Sequence, residues 1–281
     1  MFSIIVPTFN NLNYLKLCLK SIKKNSKYEH EIIIHINEGT DGTLEYIKKK
    51  NVNFTYSKNN IGLCSGVNLA AKKAKTDYIL YSHDDMYFCP NWDLVLKSEL
   101  DKLKSKLFYL SASMIERNSG HFKFDCGSDF KNFNEKKLLK NYKNLICEDF
   151  QGSHWAPHMI HKDIWDNIGG FSEEFNPGIG SDPDLNMKLW KKGVRIFKGL
   201  SKFKVYHFGS ISLRKKPLLK QNKGARTFLK KWGITTDFFK KYYLRSDTKF
   251  VGELNNPNKN CNYFIDLFIC KLKLFYISIF S

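Results

Sequence analysis

Short runs rich in β-branched residues, separated by stretches of helical period, occupy the first third of the chain and restrict its fold more than any other feature. "SIIVPTF" (residues 3–9) is followed by Leu12, Leu15, Leu19 and Ile22 at helical spacing. "EIIIHIN" (31–37) leads into a Gly-Thr-Asp-Gly turn and a short helix carrying Leu44 and Ile47. "VNFTYS" (52–57) is a third strand, and a helix over about 65–75 with the strand "DYILYS" (77–82) completes the alternation. Parallel strands need a crossover, usually a helix, so this order predicts an α/β protein with a mostly parallel, doubly wound sheet flanked by helices. Such sheets bind ligands outside the carboxyl ends of their strands. "PTFN", "NEGTDGT" and "HDD" each follow such an end, and are expected to gather at one crevice.

Beyond "DLVLKSELDKLKS" (93–105) the alternation loosens into a strand "LFYLSASMI", a basic stretch at 131–147, "APHMIHKDIW" and the helical "DLNMKLWKKG". The expected organisation is two halves of one domain, 1–105 and 106–210, with a helical basic extension over 211–281. No internal repeat interrupts it. The net charge of +19 favours anionic partners, whether phosphates, nucleic acid or a membrane surface. Seven cysteines without a C-x-x-C pair argue against zinc or dithiol chemistry and for a reducing cytosol. The start, "MFSIIVPTFN", reads as a first strand in place of a signal peptide.

In "YSHDDMYFCPNW" (81–92) two adjacent carboxylates follow a strand. Taken alone they are capping or turn residues. At the carboxyl end of a strand in an open sheet, an aspartate can also hold a divalent cation, which is a common way to grip a diphosphate.

These segments together resemble the family 2 glycosyltransferases with the GT-A fold. The resemblance rests on "IIVPTFNN", "NEGTDGT", "NNIGLCSGVNLAAKKAKTDYILYSHDDMYFCPNW", "NIGGFSEEFNPGIGSDPDLNMKLWKKG" and "VYHFGS", in that order over roughly residues 2–210. It implies an inverting transferase that uses a nucleotide diphosphate sugar, with 1–105 as the nucleotide-sugar-binding half and 106–210 as the acceptor-binding and catalytic half. Pro7, Thr8 and Asn10 match the loop that meets the base. Asn37, Glu38 or Asp41 match the acidic stretch that holds base and ribose, with asparagine at position 37 where the family usually has aspartate. Asn60, Gly62 and Asn68 match the segment that closes over the donor, where glycine permits close backbone approach.

The family's Asp-x-Asp metal motif aligns with His83 and Asp85, so its first aspartate is replaced. The resemblance makes Asp85 the principal metal ligand and His83 a second ligand or a diphosphate contact. It places Asp84 toward the sugar or behind the ligands, and His207 of "VYHFGS" near the metal or diphosphate. Imidazole is a softer ligand than carboxylate, so manganese is expected to support activity better than magnesium. "GSDPDLNMKLW" resembles the catalytic-base segment Glu-Asp-x-Asp with serine in place of the glutamate. Asp182 is the expected base, with Asp184 second to it and otherwise an N-cap of the following helix. His154, His158 and His161 are close in sequence, but Pro157 and strand alternation set them apart, and Trp155 is a sugar-stacking candidate or a core residue.

The final run "YFIDLFICKLKLFYISIF" has 14 hydrophobic residues in 18, but three central charges oppose spanning a membrane. It reads as a helix at a membrane surface, or packed on the catalytic domain or a second subunit. The expectation is therefore a transferase on the cytosolic side that moves a single sugar to a glycan, lipid-linked or protein hydroxyl. The Gln-x-x-Arg-Trp signature and transmembrane helices of processive synthases are lacking. Two alternatives are a basic nucleic-acid-binding protein, which lacks a recognised binding signature and leaves the acidic motifs unexplained, and a catalytically inactive sugar-binding scaffold.

Overall fold

The computed structural model describes residues 1–209 and 224–279. Its parallel half contains β1 (Ser3–Phe9), β2 (Glu31–Asn37), β3 (Asn53–Ser57) and β4 (Tyr78–Tyr81) in the order β3-β2-β1-β4. The crossovers are α1 (Leu12–Asn25), α2 (Thr43–Lys50) and α3 (Leu63–Ala71). Helix α3 stops short of the expected 75. The N–H groups of Lys73 and Ala74 bond to the carbonyls of Ala70 and Ala71, three residues back, which tightens the last turn and ends the helix.

The second half of the sheet is mixed. After β4 only four residues precede β5 (Met86–Phe88), too few for a crossover, and β5 instead runs antiparallel to the last strand. Helix α4 (Trp92–Leu100) follows, then β6 (Phe108–Glu116), β7 (Phe122–Lys123), α5 (Glu135–Asn141), β8 (Phe150–Gln151) and β9 (His158–His161). Helices α6 (Lys162–Ile168) and α7 (Ser181–Lys191) lead to β10 (Ile196–His207). Strand β9 is antiparallel to both β4 and β6, so it joins the two halves into one sheet, β3-β2-β1-β4-β9-β6-β10-β5. Strand β7 adds to β6 and β8 to β10.

The β-branched runs are buried because helices cover them: Ile4, Ile5, Val6, Ile33, Ile34 and Ile36 are all inaccessible. They belong to a main core that extends from Phe2 to Cys270. A smaller core around Tyr14, Tyr87, Leu138 and Tyr206 lies beside it. The C-terminal part contributes α8 (Gly224–Trp232), a short helical segment Thr236–Phe238 that widens into a π turn, and α9 (Cys261–Ile279). Among the described residues no helix is long and apolar enough to cross a membrane. The basic stretch at 212–223 lies outside the described residues.

Asp184 is not an N-cap. Helix α7 begins at Ser181, with Gly180 ahead of it in the left-handed region (φ 85°). That puts Asp184 one turn inside the helix and fully buried, where it accepts a hydrogen bond from Trp232 Nε1 at 2.8 Å and pairs with Lys231 at 2.9 Å. It fastens α8 to α7.

Candidate active site

The carboxyl ends of β1, β2 and β4 open onto a crevice of about 320 Å³, closed on another side by the Pro177–Asp182 loop. Of the sequence-predicted residues, Pro7, Thr8, Asn37, Asn60, His83, Asp84, Asp85 and Asp182 line it. They come together because β1 pairs in parallel with both β2 and β4, which brings Phe9 opposite Asn37 and carries residues 82–85 to the same edge.

The two adjacent carboxylates of "YSHDDMYFCPNW" have different surroundings. Asp84 accepts hydrogen bonds from Thr8 Oγ1 at 2.6 Å and Asn11 Nδ2 at 3.0 Å, which bind the end of β1 to the turn after β4. Asp85 is buried beside a histidine that arrives from far along the chain. Because β5 pairs antiparallel with β10, His207 stands opposite Met86, and its Nε2 lies 3.5 Å from Asp85 Oδ1. Its Nδ1 is 2.6 Å from Glu116 Oε1 at the end of β6. With Nδ1–H donating to that carboxylate, Nε2 is directed toward Asp85, an arrangement common behind metal-bound histidines.

Ligand atoms of His83, Asp85 and His207 all lie within 4.8 Å of one another. Burial pushes the His83 imidazole down to about 4, overriding the pull of Asp85, so its lone pair is available at neutral pH. Burial also opposes charge on His207, but Asp85 and Glu116 outweigh it and raise this imidazole to about 10. The site thus draws positive charge to the space between Asp85 and His207. One carboxylate and two imidazoles at this spacing fit a divalent cation, which would displace the Nε2 proton of His207 on binding.

Asp182 faces the same crevice from the second position of α7. Its Oδ1 is buried without a hydrogen-bond partner, and burial lifts the carboxyl to about 7. A carboxylate desolvated to that degree is suited to accept a proton near neutral pH.

Other predicted residues support the walls. Asn37 Oδ1 accepts from Ser57 Oγ and the Ile61 N–H, and Asn60 Oδ1 accepts from the Gly62 N–H. Asn10, Glu38 and Asp41 lie outside the crevice lining. Asn10 bonds both to Glu38 and to the Thr40 N–H, while Asp41 accepts the N–H groups that begin α1 and α2. Gly62 has φ 87°, and a Cβ there would meet Asn176 Oδ1 at 2.3 Å. The close approach at this glycine is thus to Asn176, whose Oδ1 accepts the Cys64 N–H in the first turn of α3. Asn68 bonds to both the N–H and the carbonyl of Phe171. Trp155 is also outside the lining, with its indole N–H donating to the Ala112 carbonyl and its ring against His121.

The three neighbouring histidines separate as their spacing predicts. His154 contacts the Gly152 carbonyl, His158 is buried among Tyr81, Tyr109 and Phe171, and His161 caps α6. Tyr81, Glu116, Asn11 and residues 177–180 were not singled out by sequence reasoning. Asn11 stands in the quoted "PTFNN" run, whereas Glu116 carries no local signal.

Over residues 3–165 the sequence matches the family model described as glycosyl transferase family 2. It is 28% identical over 231 residues to the hyaluronan synthase of Pasteurella multocida, covering 79% of this chain and 22% of that protein. The chain thus spans about a fifth of the length of the first curated relatives it matches. Among solved structures it resembles S. aureus TarS 1–349 in complex with UDP-GlcNAc (TM-score 0.55, 21% identity, 74% of this chain and 60% of that one). It also resembles GalNAc-T7 with UDP, GalNAc and Mn2+ (TM-score 0.56, 18% identity, 74% and 43%). The fold is GT-A.

Proposed function

The chain belongs to glycosyl transferase family 2 and is a glycosyltransferase, and from that premise we propose that it moves a single sugar from a nucleotide diphosphate sugar to an acceptor hydroxyl with inversion. One observation carries this reading: Asp182 lines the same crevice at the carboxyl edge of the parallel strands as His83 and Asp85, and His207, outside the lining, lies within 4.8 Å of both of these. Pro7, Thr8, Asn37 and Asn60 form the wall for the nucleoside. Asn10, Glu38, Asp41, Gly62 and Asn68 act by holding that wall, and Asp84 holds the turn that presents Asp85.

Asp182 takes the proton of the acceptor hydroxyl as its oxygen attacks the anomeric carbon from the face opposite the leaving group. The bond from that carbon to the diphosphate oxygen breaks, and the nucleoside diphosphate departs. Asp85, His83 and His207 would hold a divalent cation, which when bound neutralises charge developing on the diphosphate. Glu116 keeps His207 Nε2 directed toward Asp85. Two imidazoles among three donors favour manganese over magnesium. The acceptor is a hydroxyl of a glycan or lipid-linked sugar, in keeping with the polymer-forming names of the relatives.

Uridine is the first base to test, because both structural neighbours hold UDP or a UDP-sugar. Calorimetric titration of UDP, GDP and dTDP, with and without manganese, should show one nucleotide binding in a manganese-dependent way. Asp85→Ala should weaken that binding at least about 10-fold, since losing even an outer-shell partner of a metal ligand costs about 10–100-fold. If no nucleotide binds, the reading fails, and steeply salt-dependent binding to nucleic acid would favour the alternative raised by the +19 charge.

A further inference from the structure

Helix α9 exposes an apolar face with no cover among the described residues. Phe264, Ile265, Phe268, Leu272, Phe275 and Ile279 are each more than half exposed. At 3.6 residues per turn they fall within a sector of about 100°. The opposite face fastens the helix to the protein: Tyr263 and Cys270 are buried, Leu267 and Leu274 pack on the main core, and Asp266 pairs with Lys241 and Tyr242. The stripe therefore points outward and cannot turn inward without undocking the helix. Exposed large apolar side chains elsewhere, such as Tyr28, Leu94 and Ile146, are scattered.

The charges around the stripe identify its occupant. Lys271 and Lys273 are exposed, Lys271 about 20° outside one edge of the stripe and Lys273 about 80° beyond the other, and the helix's one carboxylate, Asp266, is on the packed face. Residues 224–279 carry ten basic against four acidic residues. A second copy docked through the same stripe would bring lysine flanks together with no carboxylate on the helix to meet them, which opposes self-association. An apolar strip bordered by lysines, on a helix unable to span a bilayer, is the pattern of a segment lying in the plane of an anionic membrane.

We propose that α9 is a membrane-surface anchor, inserting the Phe264–Ile279 stripe among acyl chains with Lys271 and Lys273 at anionic headgroups. This holds whether or not the crevice transfers sugar. Flotation of the full chain with phosphatidylcholine vesicles, with and without about one third phosphatidylglycerol, tests it. The wild type should float with the anionic vesicles and much less with the neutral ones. Phe268→Glu combined with Phe275→Glu should reduce the bound fraction at least about tenfold. Lys271→Glu combined with Lys273→Glu should abolish the preference for anionic lipid. Both pairs are exposed and remote from the crevice, so melting temperature and UDP binding should not change. Three results would overturn the proposal: wild-type protein that stays behind with anionic vesicles, variants that float as well as wild type, or a solution dimer dissolved by the phenylalanine substitutions. A marked loss of thermal stability in those variants, with vesicle binding intact, would also overturn it by showing that the face packs internally.

Discussion

Asp182 combines a position at the crevice with a carboxyl raised by burial to about 7, and both kinetic and stability consequences follow. A general base must be unprotonated, so kcat/KM should rise with pH through about 7 and level off above it. Asp182→Asn should lower kcat by about 10²–10⁴-fold, the usual contribution of a positioned base, and leave manganese-dependent nucleotide affinity within about twofold. The stability effect has the opposite pH direction. Between the ordinary value of 3.8 and about 7 the folded protein keeps a proton that the unfolded chain has lost, so stability falls as pH rises through that window. Asp182→Asn should therefore be more stable than wild type at pH 8 by about 1–3 kcal/mol, less than the full shift because the carboxylate borders crevice water, and equal to it near pH 3. Denaturant titrations at the two pH values measure this. Asp182, Asp85 and His83 were legible because each stands in a short ordered motif. Glu116 was not, because its role depends on β6 and β10 pairing Ile115 with Tyr206 and so bringing His207 beside it, a register that no local stretch encodes.

At the scale of elements, the strands at 3–9 and 31–37 are legible residue for residue, since fully buried parallel strands read as unbroken β-branched runs. The antiparallel entries of β5 and β9 are not, because their partners lie about 50 to 120 residues away in sequence. Asp184 shows how a correct local preference is overridden. Aspartate favours helix N-termini, yet here the helix starts three residues earlier and the side chain is buried to meet Lys231 and Trp232. Asp184→Ala would leave the Trp232 N–H without its acceptor and remove one of two carboxylates from Lys231, the other being Glu174. The expected cost is about 2–4 kcal/mol in denaturant unfolding, with Asp184→Asn losing less because an amide oxygen still accepts from the indole.

For the whole molecule, one sheet and one main core run across residue 105, so no packing seam divides the chain there. Strand β4 has its second neighbour in 158–161, and β5 has its partner in 205–207. A fragment of residues 1–105 would expose the edge of β4 and the apolar surface that β9, β6 and β10 cover. It should show no cooperative melting transition, while the full chain melts in one. The C-terminal helix is attached to this unit differently. It contributes buried Tyr263 and Cys270 to the core but no side chain to the crevice. Ending the chain after residue 254 should therefore lower the melting midpoint by about 5–10 °C, as loss of a few kcal/mol does at this size, and leave manganese-dependent nucleotide affinity within about twofold. Stability and donor binding should thus separate, because the crevice is built from residues 7–85 and 177–182, whereas α9 supports the core from outside. Loss of nucleotide binding along with the midpoint would show that α9 shapes the crevice through α8, whose Lys231 pairs with Asp184 two residues from Asp182.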